Sequence, residues 1–440
     1  MLVLLTRAPA GMMLFRRAPT RRPSAVHRFR AVPMLPSRIR SLLIVPLLLA
    51  SGAPAAGAQQ GAASHFQLVG RGPVTHTRTT GLAVFRGADG RDYAYTGTFG
   101  TCAGCANGRM YAWDVTDPAN PRLTDSVMVD AKNVNGVAVN AEGTLAVITR
   151  EGAQSRRNGI VVLDLRDPAH PRTAADYWET LTGGAHSVWI DGHYAYVVDQ
   201  GASEMAIVDL SDPADPREVG RWGVPNTPNR FLQDVAVRDG LAYLSYWDDG
   251  LAIVDVGNGV KEGTPQRPKL VALYRYRTQW HGERYGNTAF AFPYASRAGK
   301  KYVFVGDQIL PANADLNHRF ESGGYVHVLD VTTPGTPQEV ASYAVPGTGV
   351  HAFWAQNDTL YVAAWTGGVR AVDISGDLRG DLRGREVASI TTTDQQAAIR
   401  DFPFAWSVAP HNGLVFATDF NSGLWIARLV PGPSPAAGGR

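Results

Sequence analysis

The only two cysteines of the 440-residue chain, Cys102 and Cys105, stand as C-x-x-C within TGTFGTCAGCANGRMYAWDV, residues 96–115. Four chemistries use that spacing. Covalent haem attachment needs a histidine next, and Ala106 follows Cys105. Structural zinc needs four ligands, and there is no further thiol. A thioredoxin-like pair is activated near a helix N-terminus, whereas Gly100, Thr101, Ala106, Asn107 and Gly108 flank this pair with turn formers. A small disulfide pinning a Gly-rich loop is therefore expected, with a free or reactive pair as the other reading.

The remaining candidates are histidines and carboxylates. An imidazole set of His186, His351 and His281 would suit zinc, copper or iron and, with one coordination position open, would activate water or oxygen. Against this, no H-x-H or H-E-x-x-H spacing occurs, so hydrogen bonding in a polar channel is the plainer role for these histidines. His170, His193 and His411 fall in turns, and His327 lies within a strand. Nucleophilic catalysis has less support, because the chain contains no G-x-S-x-G elbow and Ser187 should point away from His186 on a strand. A G-x-x-x-x-G-K-[ST] phosphate loop is also missing.

Internal repeats dictate what must position these groups. The unit HSVWIDGHYAYVVDQGASEMAIVDLSDPADPREVGRWGVP, residues 186–225, holds four alternating apolar runs bounded by turn residues, the pattern of an antiparallel meander. Its third run recurs as MYAWDV, GIVVLDL, MAIVDL, LAIVDV, VHVLDV, VRAVDI and LWIARL. The acid in it falls at Asp114, Asp164, Asp209, Asp255, Asp330 and Asp373, with gaps of 50, 45, 46, 75 and 43 residues, while Arg428 takes the seventh place. Periods near 40–50 residues belong to propeller blades. Each acid is read as turn chemistry, since Asp side chains bond nearby backbone amides and the following Pro presets the turn.

Six fourth strands follow their third strands, but the seventh unit ends at GLWIARLVPGP. The matching segment, HFQLVGRGPV at 65–74, lies at the other end of the repeats. The expected fold is an all-β, single seven-bladed β-propeller of four-stranded antiparallel blades over residues 64–430. Its last blade would be closed by this N-terminal strand, which removes a sheet edge. Residues 431–440 read as a disordered Pro/Gly/Ala tail.

In such a ring the first strands line the channel. Apolar alternation puts Thr80, Asn135, His186, Gln233, Thr288, His351 and Ala405 at their leading ends. The same face should receive His76 and His281 from loops, and Glu151, Asp199, Asp248, Asp249, Asp307 and Asp419 from second-strand ends. Trp247, Trp280, Trp365 and Trp406 should crowd there as well. The ligand-binding candidates at this mouth are thus His186, His351, His281, Asn135, Gln233, Asp199 and Asp307, with a divalent metal in the channel as the possible cofactor.

AIVDLSDPADPREVG and YAYVVDQGASEMAIVDLSDP resemble LVIVD repeats of bacterial exported proteins, and FAWSVAPHNGLVFATDFNSGLWIARL is similar to the last repeat of the choice-of-anchor B proteins. The resemblance covers most of the chain after the leader and implies an extracytoplasmic propeller. Its residues are framework residues, so it implies no chemistry. Blade four departs from the pattern with an expanded turn, and blade five with the insertion GDQILPANADLNHRFESGG at 306–324.

Residues 1–58 form an Arg-rich leader, in which 34–58 reads as a signal peptide. Arg38 and Arg40 start it, Leu42–Ala50 is its apolar stretch and Ala56-Gly57-Ala58 its cleavage site. Translation from Met34 rather than Met1 would give that signal alone. Nine arginines and no acid lie in this leader, so the rest of the chain holds 33 basic against 39 acidic side chains. A nucleic-acid partner is unsupported by that balance. No membrane-spanning segment is expected in the mature chain. The protein is expected to be exported to the periplasm, cell surface or medium and to be monomeric. A protein, peptide or glycan partner bound on one loop face is the leading expectation. A metal-assisted hydrolase of lactonase type, or a small-molecule oxidase at the channel mouth, is the alternative.

Overall fold

A computed structural model describes residues 64–101, 107–181, 183–224, 231–275, 288–311 and 314–432. They form a seven-bladed propeller of four-stranded antiparallel sheets. Blade three is representative: Ala185–Asp191, Tyr194–Asp199, Glu204–Asp209 and Arg217–Trp222, each paired with the next. Blade five gains a two-residue parallel strand, Gly380–Asp381, beyond its fourth strand, Gln338–Tyr343. In the seventh sheet His65–Pro73 lies antiparallel to Gly423–Val430, with His65 opposite Val430 and Pro73 opposite Gly423.

Sheets that pack face to face around a ring bury their middle strands on both sides. Leu241–Tyr246, Gly250–Asp255 and Leu414–Asp419 are accordingly buried at every residue. They therefore read as apolar runs, and each Val, Leu or Ile enclosed there contributes about 1.5–3 kcal/mol. The outer strand Arg122–Asp130 has one edge free and is nowhere fully buried.

Asp239–Gly240 and Asn412–Gly413 carry positive φ at both residues, as a type I′ hairpin requires. Asn357–Asp358 does the same without glycine. Each repeated acid accepts a hydrogen bond from the backbone amide two residues on: Asp114 from Thr116, Asp164 from Arg166, Asp209 from Ser211, Asp255 from Gly257, Asp330 from Thr332 and Asp373 from Ser375. These acids hold turns.

The leader, the C-x-x-C pair, His281, Trp280 and the tail beyond 432 lie outside the described residues. Among the described residues no helix is long and apolar enough to cross a membrane.

Candidate functional site

The site begins with an irregularity that recurs at one place in the blades. Pairing between first and second strands skips between Thr79 and Leu82, Ala185 and Val188, Leu232 and Asp234, Thr288 and Phe290, and Ala405 and Ser407. Each skip is a β-bulge, which kinks the strand and re-aims a side chain. The bulges hold Thr80, His186, Gln233, Ala289 and Trp406. In blade six His351 immediately precedes the first strand, and in blade two Asn135 stands two residues before it. Apolar alternation picks Thr288 and Ala405 in blades five and seven because it cannot see the extra residue. The equivalent positions are one further on, and in blade seven this puts Trp406 on the channel.

Three of the expected residues come together around Glu151, at the end of blade two's second strand. His186 Nδ1 meets the Glu151 carboxylate in a short contact. Asn135 and Asn133 donate to the other carboxylate oxygen at 2.9 and 3.2 Å. The Gln233 side-chain amide lies 2.8 Å from His186 Nε2. Burial alone would keep His186 neutral, but the Glu151 charge outweighs it and raises the imidazole above its ordinary value. Burial works against the Glu151 charge too, yet His186 and the two asparagines hold that carboxyl below the usual range. The two shifts favour the charged form of each partner. The amide atom that faces His186 Nε2 is the Gln233 nitrogen, so this group is engaged with the ring.

A second acid, Asp234, follows Gln233 and accepts a hydrogen bond from the Ser187 hydroxyl of blade three at 2.5 Å. Burial pushes its carboxyl up to about 7, against the opposing pull of Ser187, backbone amides and His186. Sequence reasoning missed Asp234 because nothing marks it among the other acids. The available signal was its place directly after a channel residue, the same step that links His186 to Ser187.

His351 sits in a different environment. It is buried at 4% exposure, with its ring centroid 3.9 Å from Trp406, 4.4 Å from Phe290 and 5.0 Å from Trp365. Burial, then the nearby His186 charge, lowers its pKa far below the ordinary value, and its ring bonds the Trp406 backbone. Nδ1 has no partner among the described residues. Beside it Trp365, Phe402, Phe404, Trp406 and Phe420 form a buried aromatic cluster, onto which Leu310, Leu316 and Phe320 of the blade-five insertion pack. Arg78 ties this layer down by donating to Asn421 at 2.8 Å and to Asn317 at 3.3 Å.

Beneath lies a channel cavity of about 540 Å³, to which all seven first strands contribute. Blades two to four supply Asn135, His186, Ser187, Gln233 and Asp234, and blades five to seven supply Phe290, Phe292, His351, Trp354 and Trp406. The cavity reaches the surface on the side of the first-to-second-strand turns, where Arg86 and Ala141 are exposed. A groove of about 590 Å³ elsewhere is formed by turn residues of blade five with Leu378 and Arg379, and it holds none of these groups.

Two expected residues serve their own blades instead of the channel. Asp199 accepts from Arg221 at 2.7 Å and from the Gly201 amide. Asp307 binds His327 Nε2 at 2.8 Å, while Glu339 holds Nδ1 at 2.7 Å. Against burial, those two carboxylates lift His327 to about 10. For the metal expectation, the described residues offer no complete donor set, and the third expected ligand, His281, lies outside them. Both nitrogens of His186 are engaged, His351 is boxed by aromatic rings, and among the described residues no three His, Cys, Asp or Glu side chains could together hold an ion.

The model for the LVIVD repeat matches residues 182–223 and 230–260, which are blade three and most of blade four. The chain carries LVIVD repeats. The blades so matched contribute His186, Ser187, Gln233 and Asp234 to the channel. No curated protein matches the sequence. Solved structures share the fold at low identity. The Pseudomonas aeruginosa periplasmic gluconolactonase PpgL is 15% identical with a TM-score of 0.54, covering 84% of this chain and 100% of that one. The β-propeller domain of Cps50 (Swd1) from Myceliophteria thermophila is 11% identical with a TM-score of 0.51, covering 83% and 100%. Sqt1 from Chaetomium thermophilum is 14% identical with a TM-score of 0.51, covering 81% and 88%.

Proposed function

We propose that the protein is an exported, non-catalytic binding propeller whose ligand is a small molecule held in the central channel. The observation that carries this reading is the mixed lining of the cavity, in which polar groups from blades two to four share the wall with aromatic rings, most of them from blades five to seven and Trp189 from blade three. Its volume of about 540 Å³ lies within the range of small-molecule sites, which join apolar walls to a few placed polar groups. The charged leader and signal-like segment support export.

A protein, peptide or glycan partner on the loop face is the second reading. Its support is the Arg78 anchor, which steadies a loop whose Asp315, His318 and Glu321 are exposed. The two readings separate in a calorimetric binding screen of the wild type, Ser407→Trp in the channel wall and a His318→Ala/Glu321→Ala double variant. Ligands that lose at least tenfold in Ser407→Trp and keep their affinity in the double variant fit the channel. The reverse pattern moves the site to the loop face.

A further inference from the structure

We infer that the channel ligand is an uncharged, hydroxyl-rich ring of the carbohydrate or cyclic-polyol class. This rests on the channel reading and narrows it.

Charge balance is the first argument. Around the cavity Glu151 is paired with His186, and Arg86 and His411 at the open end with Asp92, while Asp234 has only the Ser187 hydroxyl and backbone amides, and burial pushes its carboxyl up to about 7. An anion would enter without a free counter-charge, and a cation would meet only Asp234, whose charged form burial disfavours; desolvating an unpaired ion costs several kcal/mol or more.

The second argument is the kind of polar atom left over. Asn135 Oδ1 and His351 Nδ1 are buried acceptors with no partner among the described residues. Gln233 lies beside them with its amide nitrogen already on His186 Nε2 at 2.8 Å. The two unpartnered acceptors call for donors, which a carboxylate lacks and ring hydroxyls supply.

The aromatic part of the lining, where Trp354 of blade six meets Trp189 of blade three, supplies the third. Trp354 lines the cavity half-buried, stacked on Trp189 at 6.5 Å and 24° and flanked by Phe292 at 5.0 Å. An aromatic wall of this kind suits the C–H face that a sugar or inositol ring carries beneath its hydroxyls, while its hydroxyl rim reaches the polar blades.

The test is calorimetric titration of the purified protein at neutral pH with three neutral rings, glucose, N-acetylglucosamine and myo-inositol, and two charged relatives, glucuronate and glucosamine. The best neutral ring should bind at least tenfold more tightly than either charged one. Trp354→Ala should cost at least tenfold, with the circular dichroism spectrum unchanged. A charged relative that binds as tightly as the neutral rings, or no binding by any neutral ring, overturns the inference. The underlying reading fails differently. If a charged compound binds and Ser407→Trp abolishes it, the ligand class is wrong and the channel site stands. If no compound's affinity responds to Ser407→Trp, the channel site falls.

Discussion

Two histidines, a half-buried one in blade three and a buried one in blade five, make opposite use of the same chemistry. His327 has a carboxylate on each ring nitrogen, Asp307 on one and Glu339 on the other, and is 2% exposed within its own sheet. His186 has a carboxylate on one nitrogen only, and its other nitrogen meets Gln233 on a cavity wall. Both imidazoles have their pKa raised by these carboxylates. In blade five the charge is answered on both sides and bonds strands two, three and four of one blade together. In the channel, the charge is answered once and its far side orients an amide that faces open space. A His–carboxylate contact is therefore structural or functional according to what lies beyond the second nitrogen.

The largest expected effect follows from the closed cluster. His327→Ala leaves Asp307 and Glu339 facing an emptied buried site and should destabilise the protein by roughly 3–5 kcal/mol, read by urea unfolding. His186→Ala opens onto a cavity that admits water and should cost less than half as much. Equal losses would erase the distinction between the two histidines.

Binding should sort the other way. Ser407→Trp should remove at least tenfold of any channel ligand's affinity while costing about 1–3 kcal/mol of stability from overpacking. His327→Gln should leave affinity unchanged in calorimetry wherever the protein remains folded.

The pH dependence sharpens the contrast. His327 has its folded pKa raised to about 10, so its contribution is complete below the unfolded value of 6.5 and is lost as pH rises through about 10. For the channel pair, Glu151 is depressed from 4.5 and its contribution is lost as pH falls through the folded value, while His186 is raised from 6.5 and its contribution is lost on the alkaline side. The stability difference between wild type and Glu151→Gln should be greatest between pH 4.5 and 6.5 and shrink on both sides. A difference that does not vary with pH would mean that the pair is not ionised.

The smallest effects lie in the turns. Asp255 accepts from five backbone amides, those of Gly257, Asn258, Gly259, Lys261 and Gly263. Asp209 accepts from the Ser211 amide and hydroxyl. Asp255→Ala should cost roughly 1.5–3 kcal/mol and Asp209→Ala about 1 kcal/mol, compared by thermal unfolding.

Much of the ring could be read from the sequence because its causes are local. Buried middle strands appear as apolar runs, and the acids at Asp114, Asp164, Asp209, Asp255, Asp330 and Asp373 announce turns that they do hold. Asn135, His186, Gln233 and His351 were found because first strands line a propeller channel. What stayed hidden depends on geometry that leaves no period. A one-residue bulge moved the blade-seven position from Ala405 to Trp406. Contacts across blades paired Ser187 with Asp234, and side-chain direction within blade five sent Asp307 to His327 and away from the channel.

The most direct test of the channel site is a nitrogen-15 NMR titration of the histidine rings with the tightest neutral ring found. His186 and His351 line the cavity and His327 does not, so the first two should shift in a saturable way while His327 stays fixed. Saturable binding that leaves His186 and His351 unmoved would contradict a ligand in the channel.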